Sequence, residues 1–206
     1  MKTENVNKIV PSVVGLGYVG LPLYVRLKKK YKTIGFDVNK DRINQLKKGI
    51  DENKEFSKNN LKNKTQSFFS SKIGELKNSN FFIICVPTPI LKNYKPNLKY
   101  LIHASTMISK VIKKGDIVFF ESTVYPGVTD DICAKIIEKK TKLKKNVDFF
   151  VGYSPERINP GDKRHSVDKI KKIVAINTNN EKILKKVRSV YNNVASSIVI
   201  SNDIKE

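Results

Sequence analysis

Apolar and polar residues follow two patterns that alternate along this chain. Short apolar runs such as Phe81 to Val86 predict buried strands. Longer stretches with apolar positions on one side, such as Glu181 to Asn192, predict amphipathic helices. Because the two patterns alternate repeatedly, we expect an α/β fold with a doubly wound, mostly parallel Rossmann-like sheet and helices on both faces.

The predicted elements cover most of the chain. Strands are expected at Ser12 to Gly15, Lys32 to Asp37, Ser67 to Ser70, Phe81 to Val86, Asp116 to Glu121, Asp148 to Gly152, Lys172 to Ile176 and Ser197 to Ser201. Helices are expected at Tyr18 to Lys30, Lys40 to Lys48, Ile73 to Lys77, Lys99 to Lys113, Val128 to Lys139 and Glu181 to Asn192.

A glycine-rich turn follows the first predicted strand. Gly15, Gly17 and Gly20 come directly after the apolar pair Val13 and Val14. Gly15 suits a tight turn, Gly17 lets the backbone approach a pyrophosphate, and Gly20 lets the next helix lie close to the sheet. The N–H groups at the start of that helix can then bind phosphates.

An acidic residue ends the second predicted strand. Asp37 lies 22 residues after Gly15, where a carboxylate can accept both hydroxyls of an adenosine ribose. The same carboxylate would repel the 2′-phosphate of NADP, so NAD is the expected cofactor. The glycine spacing alone is a weak signal, and the flanking strand, helix and Asp37 make it specific.

Three unusual loops follow later strands. Pro87 and Pro89 fix an extended turn that is expected to hold the Thr88 hydroxyl toward a cofactor crevice. The segments 121–129 and 152–161 follow the next two strands. Each loop is also consistent with an ordinary proline-containing turn or with a helix N-cap. Ligands of doubly wound sheets bind beyond the carboxyl ends of the strands, so the convergence of all three loops on the glycine turn favours a binding site.

Composition argues against several other classes of protein. In 206 residues, 39% hydrophobic and 29% charged content is typical of a soluble globular domain. The longest apolar runs are too short to span a bilayer and residues 1–8 lack a signal-peptide core, so we expect a cytoplasmic protein without membrane partners. Cys85 and Cys133 lie in no metal-binding or disulfide pattern, so we expect no metal site and two core thiols.

The formal net charge of +21 raises the question of nucleic-acid binding. No recognition helix or aromatic-interleaved basic strip accompanies the lysines, so we expect solvated lysines and no nucleic-acid partner. The lysine runs lie mostly at predicted helix ends and loops, at Lys28–Lys30, Lys113–Lys114, Lys139–Lys140, Lys171–Lys172 and Lys185–Lys186.

Together, the motifs resemble those of the N-terminal domain of the UDP-glucose/GDP-mannose dehydrogenase family. The resemblance covers roughly residues 8–206 and rests, in order, on the segments 15–23, 35–40, 86–89, 121–127 and 153–163. The last segment resembles the branch of UDP-N-acetylglucosamine (or UDP-N-acetylgalactosamine) 6-dehydrogenases of surface-polysaccharide synthesis, as in the Vi type.

The resemblance implies oxidation of the C6 alcohol of a UDP-N-acetylhexosamine to a carboxylate in two NAD-dependent steps. In the family, a cysteine forms a thioester with the oxidised sugar, and water hydrolyses it. The resemblance implies catalytic roles for Thr123, which would help to place that water, and for Glu156, which would assist the hydrolysis. The implied cofactor contacts are Gly15, Gly17, Tyr18, Val19, Gly20, Asp37, Arg42, Pro87, Thr88 and Thr123, and the implied substrate contacts are Glu156, Arg157, Asn159 and Gly161.

Two of these residues have alternative explanations. Arg42 is equally consistent with a solvated position on a helix surface. Glu156 is also consistent with a loop carboxylate paired with a neighbouring Lys or Arg.

The chain departs from the family pattern in length. Family members continue into a central helical domain, which carries a Lys, an Asn and the nucleophilic Cys, and then into a UDP-binding domain. We expect a flexible segment 1–8, an NAD-binding domain at 9–206, and neither of the later domains. Neither Cys85 nor Cys133 has the glycine-rich context of the nucleophile. We therefore expect no turnover by this chain alone, and binding of the UDP-sugar only with a complementing C-terminal half, which a second polypeptide could supply.

Two substitutions depart from the pattern as well. Tyr24 stands where the family has a small residue, so its phenol must point elsewhere or push the helix outward, at a cost of about 1–3 kcal/mol. Pro11 opens the first strand, where a proline is tolerable only at the first position.

Two other functional classes remain open. A non-catalytic dinucleotide-binding module or remnant would keep the fold without the chemistry. Hydroxyacid dehydrogenases share the glycine turn and the acid but offer no counterpart to Tyr153–Lys163. The sequence leaves open which amino sugar is used, whether a complementing chain exists and which oligomer forms.

Overall fold

Strands and helices alternate through the residues that the computed structural model describes, which are 9–62, 66–155 and 171–204. The strands are β1 Pro11–Val14, β2 Ile34–Phe36, β3 Phe68–Ser70, β4 Phe81–Ile84, β5 Ile117–Phe120, β6 Phe150–Tyr153, β7 Lys171–Ile176 and β8 Ser197–Ser201. The helices are α1 Gly20–Leu27, α2 Lys40–Lys47, α3 Lys58–Leu61, α4 Lys99–Ile108, α5 Lys135–Thr141 and α6 Glu181–Tyr191, with a 3₁₀ helix at Ile73–Asn78 and a π-helix at Val128–Ala134.

The strands form one sheet in the order β3-β2-β1-β4-β5-β6-β7-β8. Neighbouring strands are parallel, except that β6 and β7 are antiparallel. Strand order reverses between β1 and β4, because the chain first builds outward through β2 and β3 and then returns to the other side of β1. The doubly wound, mostly parallel sheet predicted from the sequence is confirmed.

Helices cover both faces of the sheet. On one face α1, α2 and α6 pack against the sheet in one apolar cluster, and on the other face α4 and α5 form a second cluster with it. Strands β1, β4 and β5 are buried along their whole length. Two helical features were not predicted, the short helix α3 and the π-helical start of the segment that ends in α5.

Pro11 occupies the position that its chemistry allows. It is the first residue of β1, where its missing N–H removes no interior ladder bond. The preceding Val10 instead donates its N–H to Asn80 Oδ1 at 2.9 Å and accepts from the Asn80 N–H at 3.2 Å.

Tyr24 is part of the apolar core. The ring is fully buried and lies over Gly35 of β2, with its centroid 4.5 Å from that of Phe69. A Cβ built on Gly35 would lie 2.8 Å from Phe69 Cδ1 and 3.0 Å from Tyr24 Cδ2. Gly35 therefore provides the space that the phenol needs, and the side chain does point elsewhere, toward β2 and β3.

Two lysines differ from the solvated positions expected of them. Lys28 and Lys172 are buried. Lys28 Nζ donates to the Lys62 carbonyl at 2.8 Å, and burial lowers the pKa of Lys28 to about 8. Lysine charge was therefore a poor guide to exposure at these positions.

Both cysteines are buried thiols, as expected for core residues. Among the described residues, no helix is both long and apolar enough to cross a membrane. The segment 1–8, predicted to be flexible, lies outside those residues.

The packing of Tyr24 on Gly35 can be tested by a double-mutant cycle. Gly35→Ala should lower the free energy of unfolding by about 1–3 kcal/mol because the new methyl meets two rings. The same change in a Tyr24→Ala background should cost less, because one ring has gone. Urea unfolding of the four proteins checks this, and an equal cost in both backgrounds would contradict it.

A buried carboxyl predicts how stability depends on pH. Asp116 precedes β5, is almost fully buried, and accepts the Lys113 N–H at 2.8 Å. Burial raises its pKa from 3.8 to about 6, against the opposing influence of Lys113. Its folded pKa lies above its unfolded value, so the folded state keeps the proton longer and the free energy of unfolding should fall as pH rises from 4 to 6.

Asp116→Asn removes this titration. The variant should therefore gain stability relative to the unsubstituted chain between pH 4 and pH 7, as measured by urea unfolding across that range. A stability difference that does not change with pH would contradict the assignment.

Candidate functional site

The glycine turn between β1 and α1 has the geometry that its sequence predicts. Gly15 has a φ of +91°, and a Cβ there would lie 2.7 Å from the Cys85 carbonyl oxygen. A Cβ on Gly20 would lie 1.8 Å from the Gly15 carbonyl oxygen. A Cβ on Gly17, in contrast, would meet nothing within 4 Å. Gly15 and Gly20 are thus required by the fold, whereas Gly17 borders open space.

The peptide groups around Leu16 hold the turn in place. The Leu16 N–H donates to Asp37 Oδ2 at 2.8 Å, and the Leu16 carbonyl accepts from Arg42 Nε at 3.0 Å. The other Asp37 oxygen, Oδ1, accepts the Asn39 N–H at 2.9 Å. The carboxylate at the end of β2 is therefore oriented by the turn that it faces.

Arg42 is buried, so the structure does not support a solvated helix-surface position for it. Its guanidinium pairs with the carboxylate of Asp51 at 2.9 Å. Asp51 also accepts the backbone N–H groups of Asn53, Glu55 and Phe56. Arg42 thus ties the segment after α2 to the glycine turn, and its direct contact with a cofactor remains a prediction.

A crevice of about 410 Å³ opens at the point where strand order reverses. No side chain caps the start of α1 beside it. Of the predicted cofactor residues, Gly20 and Arg42 do not line the crevice. Tyr24 does not line it. The lining residues are Gly15, Leu16, Gly17, Tyr18, Val19, Asp37, Cys85, Val86, Pro87, Thr88, Glu121, Ser122 and Thr123.

Two hydrogen bonds join the loops after β4 and β5, both of which line the crevice. The Thr88 hydroxyl donates to the Thr123 carbonyl at 2.7 Å, and the Ser122 hydroxyl donates to the Val86 carbonyl at 2.5 Å. Thr88 lines the crevice, and contact of its side chain with a cofactor remains a prediction. Its hydroxyl is engaged by the neighbouring loop. Its engagement makes Thr88 a brace for Thr123.

The sequence alone assigned no role to Glu121, the first residue of the loop after β5. Glu121 is buried, and its carboxylate pairs with Lys172 Nζ and accepts the Tyr191 hydroxyl at 2.7 Å. Lys172 and Tyr191 follow Glu121 by 51 and 70 positions. The one signal available was a carboxylate at the end of an otherwise apolar strand, which needs a buried partner.

The residues predicted to bind substrate are Glu156, Arg157, Asn159 and Gly161, and all four lie outside the described residues. Their roles, and the catalytic role of Glu156, therefore remain predictions. Across the described part of the chain, no group of three His, Cys, Asp or Glu side chains is arranged to hold a metal ion.

Comparison with known proteins agrees with this geometry. Residues 8–195 match the model of the UDP-glucose/GDP-mannose dehydrogenase family, NAD binding domain. UDP-N-acetyl-D-glucosamine 6-dehydrogenase from Pseudomonas aeruginosa is 47% identical, over 94% of this chain and 47% of that protein. The enzyme of the same name from Salmonella typhi is 45% identical, over 93% of this chain and 45% of that protein.

A solved structure shares the fold. UDP-D-ManNAc dehydrogenase from Pyrococcus horikoshii superposes with a TM-score of 0.86 at 29% identity, covering 95% of this chain and 47% of that one. The chain thus spans about half the length of the relatives that it matches.

The open space beside Gly17 gives a test that separates ligand binding from folding. Gly17→Val should leave the free energy of unfolding nearly unchanged, because a Cβ at this position meets no protein atom within 4 Å. It should nevertheless weaken NAD binding, measured by calorimetry, by about tenfold or more, because the side chain would occupy the space for the pyrophosphate.

Gly20→Ala is the matched control. Its Cβ would meet the Gly15 carbonyl, so this variant should lose stability as well as binding. Unchanged NAD affinity in Gly17→Val would contradict the assignment of the crevice.

Proposed function

Because this chain belongs to the UDP-glucose/GDP-mannose dehydrogenase family, we propose that it is the NAD-binding half of a nucleotide-sugar 6-dehydrogenase. The proposed substrate is a UDP-N-acetylhexosamine, since two relatives at 45–47% identity are named UDP-N-acetyl-D-glucosamine 6-dehydrogenase. The proposed reaction oxidises the C6 alcohol of the sugar to a carboxylate in two steps.

The observation that carries this proposal is the cradle formed by Gly17 and Asp37. Open space beside Gly17 and the uncapped start of α1 suit a pyrophosphate. Asp37 ends β2 with its carboxylate already oriented by Leu16 and Asn39, which suits the hydroxyls of an adenosine ribose. These features fit NAD, which would accept one hydride in each oxidation step.

The rest of the crevice would hold the nicotinamide half of the cofactor. Thr88 and Thr123 line the crevice on the β4 and β5 side of β1, away from Asp37. We propose that Thr123 also helps to place the hydrolytic water and that Glu156 acts as the base or orients that water. Arg157, Asn159 and Gly161 would border the sugar nucleotide.

We further propose that these 206 residues do not turn over alone. The chain matches less than half of each enzyme named above, and neither buried cysteine has the glycine-rich sequence context of the family's nucleophile. Catalysis would need a C-terminal half, which a second polypeptide could supply. The proposed location is the cytoplasm, and neither nucleic acid nor membrane is a proposed partner.

The cofactor assignment predicts selective binding. Calorimetry should show saturable NAD binding that is tighter than NADP binding. Asp37→Ala should weaken NAD binding about tenfold or more, since hydrogen bonds to charged groups contribute roughly 1.5–3 kcal/mol. Asp37→Ala should also reduce the preference for NAD over NADP, because the carboxylate that repels the 2′-phosphate of NADP is removed.

Asp41→Ala is the control for Asp37→Ala. Asp41 is an exposed acid in the first turn of α2 and does not line the crevice, so its removal should leave NAD affinity unchanged. Binding that is lost equally in both variants, or absent from the unsubstituted chain, would contradict the proposal.

Activity can be tested by complementation. NADH formation from UDP-N-acetylglucosamine and UDP-N-acetylgalactosamine should appear only when the C-terminal half of a relative is added to this chain. NADH formation by the chain alone would refute the proposed dependence on a second half. NAD binding without NADH formation in any combination would favour a non-catalytic dinucleotide-binding module.

A further inference from the structure

The loop after β5 is held at three consecutive residues by three different parts of the fold. Glu121 is bonded from β7 and α6. Ser122 and Thr123 are bonded to the loop after β4. This loop lines the crevice.

The deepest of these attachments is an ion pair without access to water. The side chains of Glu121 and Lys172 are 0% and 1% exposed. The Tyr191 hydroxyl donates to the second oxygen of the same carboxylate, and the Tyr191 ring packs against Phe119, with 4.9 Å between the ring centroids. Both carboxylate oxygens are therefore fixed in direction by residues that are themselves fixed.

A buried ion pair contributes little net free energy to stability, because removing the two charges from water is costly. The attraction between two buried charges is largely offset by the loss of their hydration, and apolar side chains of similar volume often stabilise a protein as well or better. What a buried pair can supply is a fixed orientation. Here the fixed residue is the first of the loop that carries Thr123.

The topology defines which part of a dinucleotide this loop would meet. Asp37 and the glycine turn lie on the β1 and β2 side of the crevice, where adenosine and pyrophosphate fit. The loop that starts at Glu121 lies two strands away, beyond β4. A dinucleotide that spans the crevice therefore brings its nicotinamide half to this loop.

We propose that Glu121 is a positioning residue, which, held by Lys172 and Tyr191, fixes the Ser122–Thr123 wall against the nicotinamide half of the cofactor. This inference rests on the proposed NAD binding. Glu121 borders the crevice, but its side chain is fully buried and bonded to Lys172 and Tyr191, so it acts through the loop. Its role predicts a selective effect, in which contacts to nicotinamide are lost while contacts to ADP-ribose remain.

The test compares two ligands that share the adenosine and pyrophosphate. NADH carries the nicotinamide and ADP-ribose lacks it. Tyr191→Phe removes the hydroxyl that orients Glu121 and keeps the packed ring. We expect the affinity for NADH to fall about fivefold to tenfold, as for the loss of one hydrogen bond, and the affinity for ADP-ribose to stay unchanged.

Tyr31→Phe is the matched control. The Tyr31 hydroxyl also binds α6, donating to the Ser189 carbonyl at 2.8 Å, but it is not among the groups that bind Glu121. This variant should leave the affinities for both ligands unchanged. Circular dichroism and urea unfolding would verify that both variants fold.

A second variant removes the charges and keeps the volume. The double substitution Glu121→Gln with Lys172→Met replaces both charges of this ion pair by neutral side chains of similar size, so neither charge is left buried without the other. We expect the same asymmetry, with weaker NADH binding and unchanged ADP-ribose binding. This variant keeps the test decisive if Tyr191→Phe does not fold.

An equal loss of affinity for NADH and for ADP-ribose would show a general structural role and overturn the proposal. Unchanged NADH affinity in folded Tyr191→Phe and in the double variant would also overturn it. Failure of the unsubstituted chain to bind either ligand would instead refute the proposed function, and the positioning role with it.

Discussion

The site depends first on how the backbone around Leu16 is held. Its N–H donates to Asp37 and its carbonyl accepts from Arg42, so the turn after β1 is attached to the end of β2 and to α2. With the turn fixed in this way, Gly17 borders open space and the start of α1 is left uncapped. Leu16 thus connects Asp37, which would bind the ribose, to the turn that contains Gly17, which would leave space for the pyrophosphate.

The two walls of the crevice are built on a common plan. Behind the glycine turn lies the buried pair of Arg42 and Asp51, and behind the Thr123 loop lies the buried pair of Lys172 and Glu121. Arg42 is hydrogen-bonded to the glycine turn, and Glu121 is the first residue of the Thr123 loop. Each buried pair is therefore attached to a loop that faces the crevice. Buried pairs are inefficient stabilisers, and their position behind two binding loops is consistent with a role in fixing loop geometry. The core itself is supplied by the apolar strands and helices.

Much of this arrangement could be predicted from the sequence because it depends on local pattern. The strands, the doubly wound topology, the glycine turn and the terminal Pro11 follow from hydrophobic period and backbone chemistry. The missed features depend on contacts between distant residues. The burial of Arg42 depends on Asp51, and the role of Glu121 depends on partners in β7 and α6. The sequence leaves two outcomes open for Tyr24, a ring that points elsewhere or a helix pushed outward, and the first depends on the space beside Gly35 of β2. The π-helical start of the segment 128–141 also has no signature in hydrophobic period.

The most direct test of the central claim is a crystal structure of this chain with NAD. The adenosine ribose should lie on Asp37, the pyrophosphate against Gly17 and the start of α1, and the nicotinamide beside Thr88 and Thr123. A dinucleotide bound elsewhere or in the reverse direction would contradict the claim, as would a crevice that stays empty at saturating NAD.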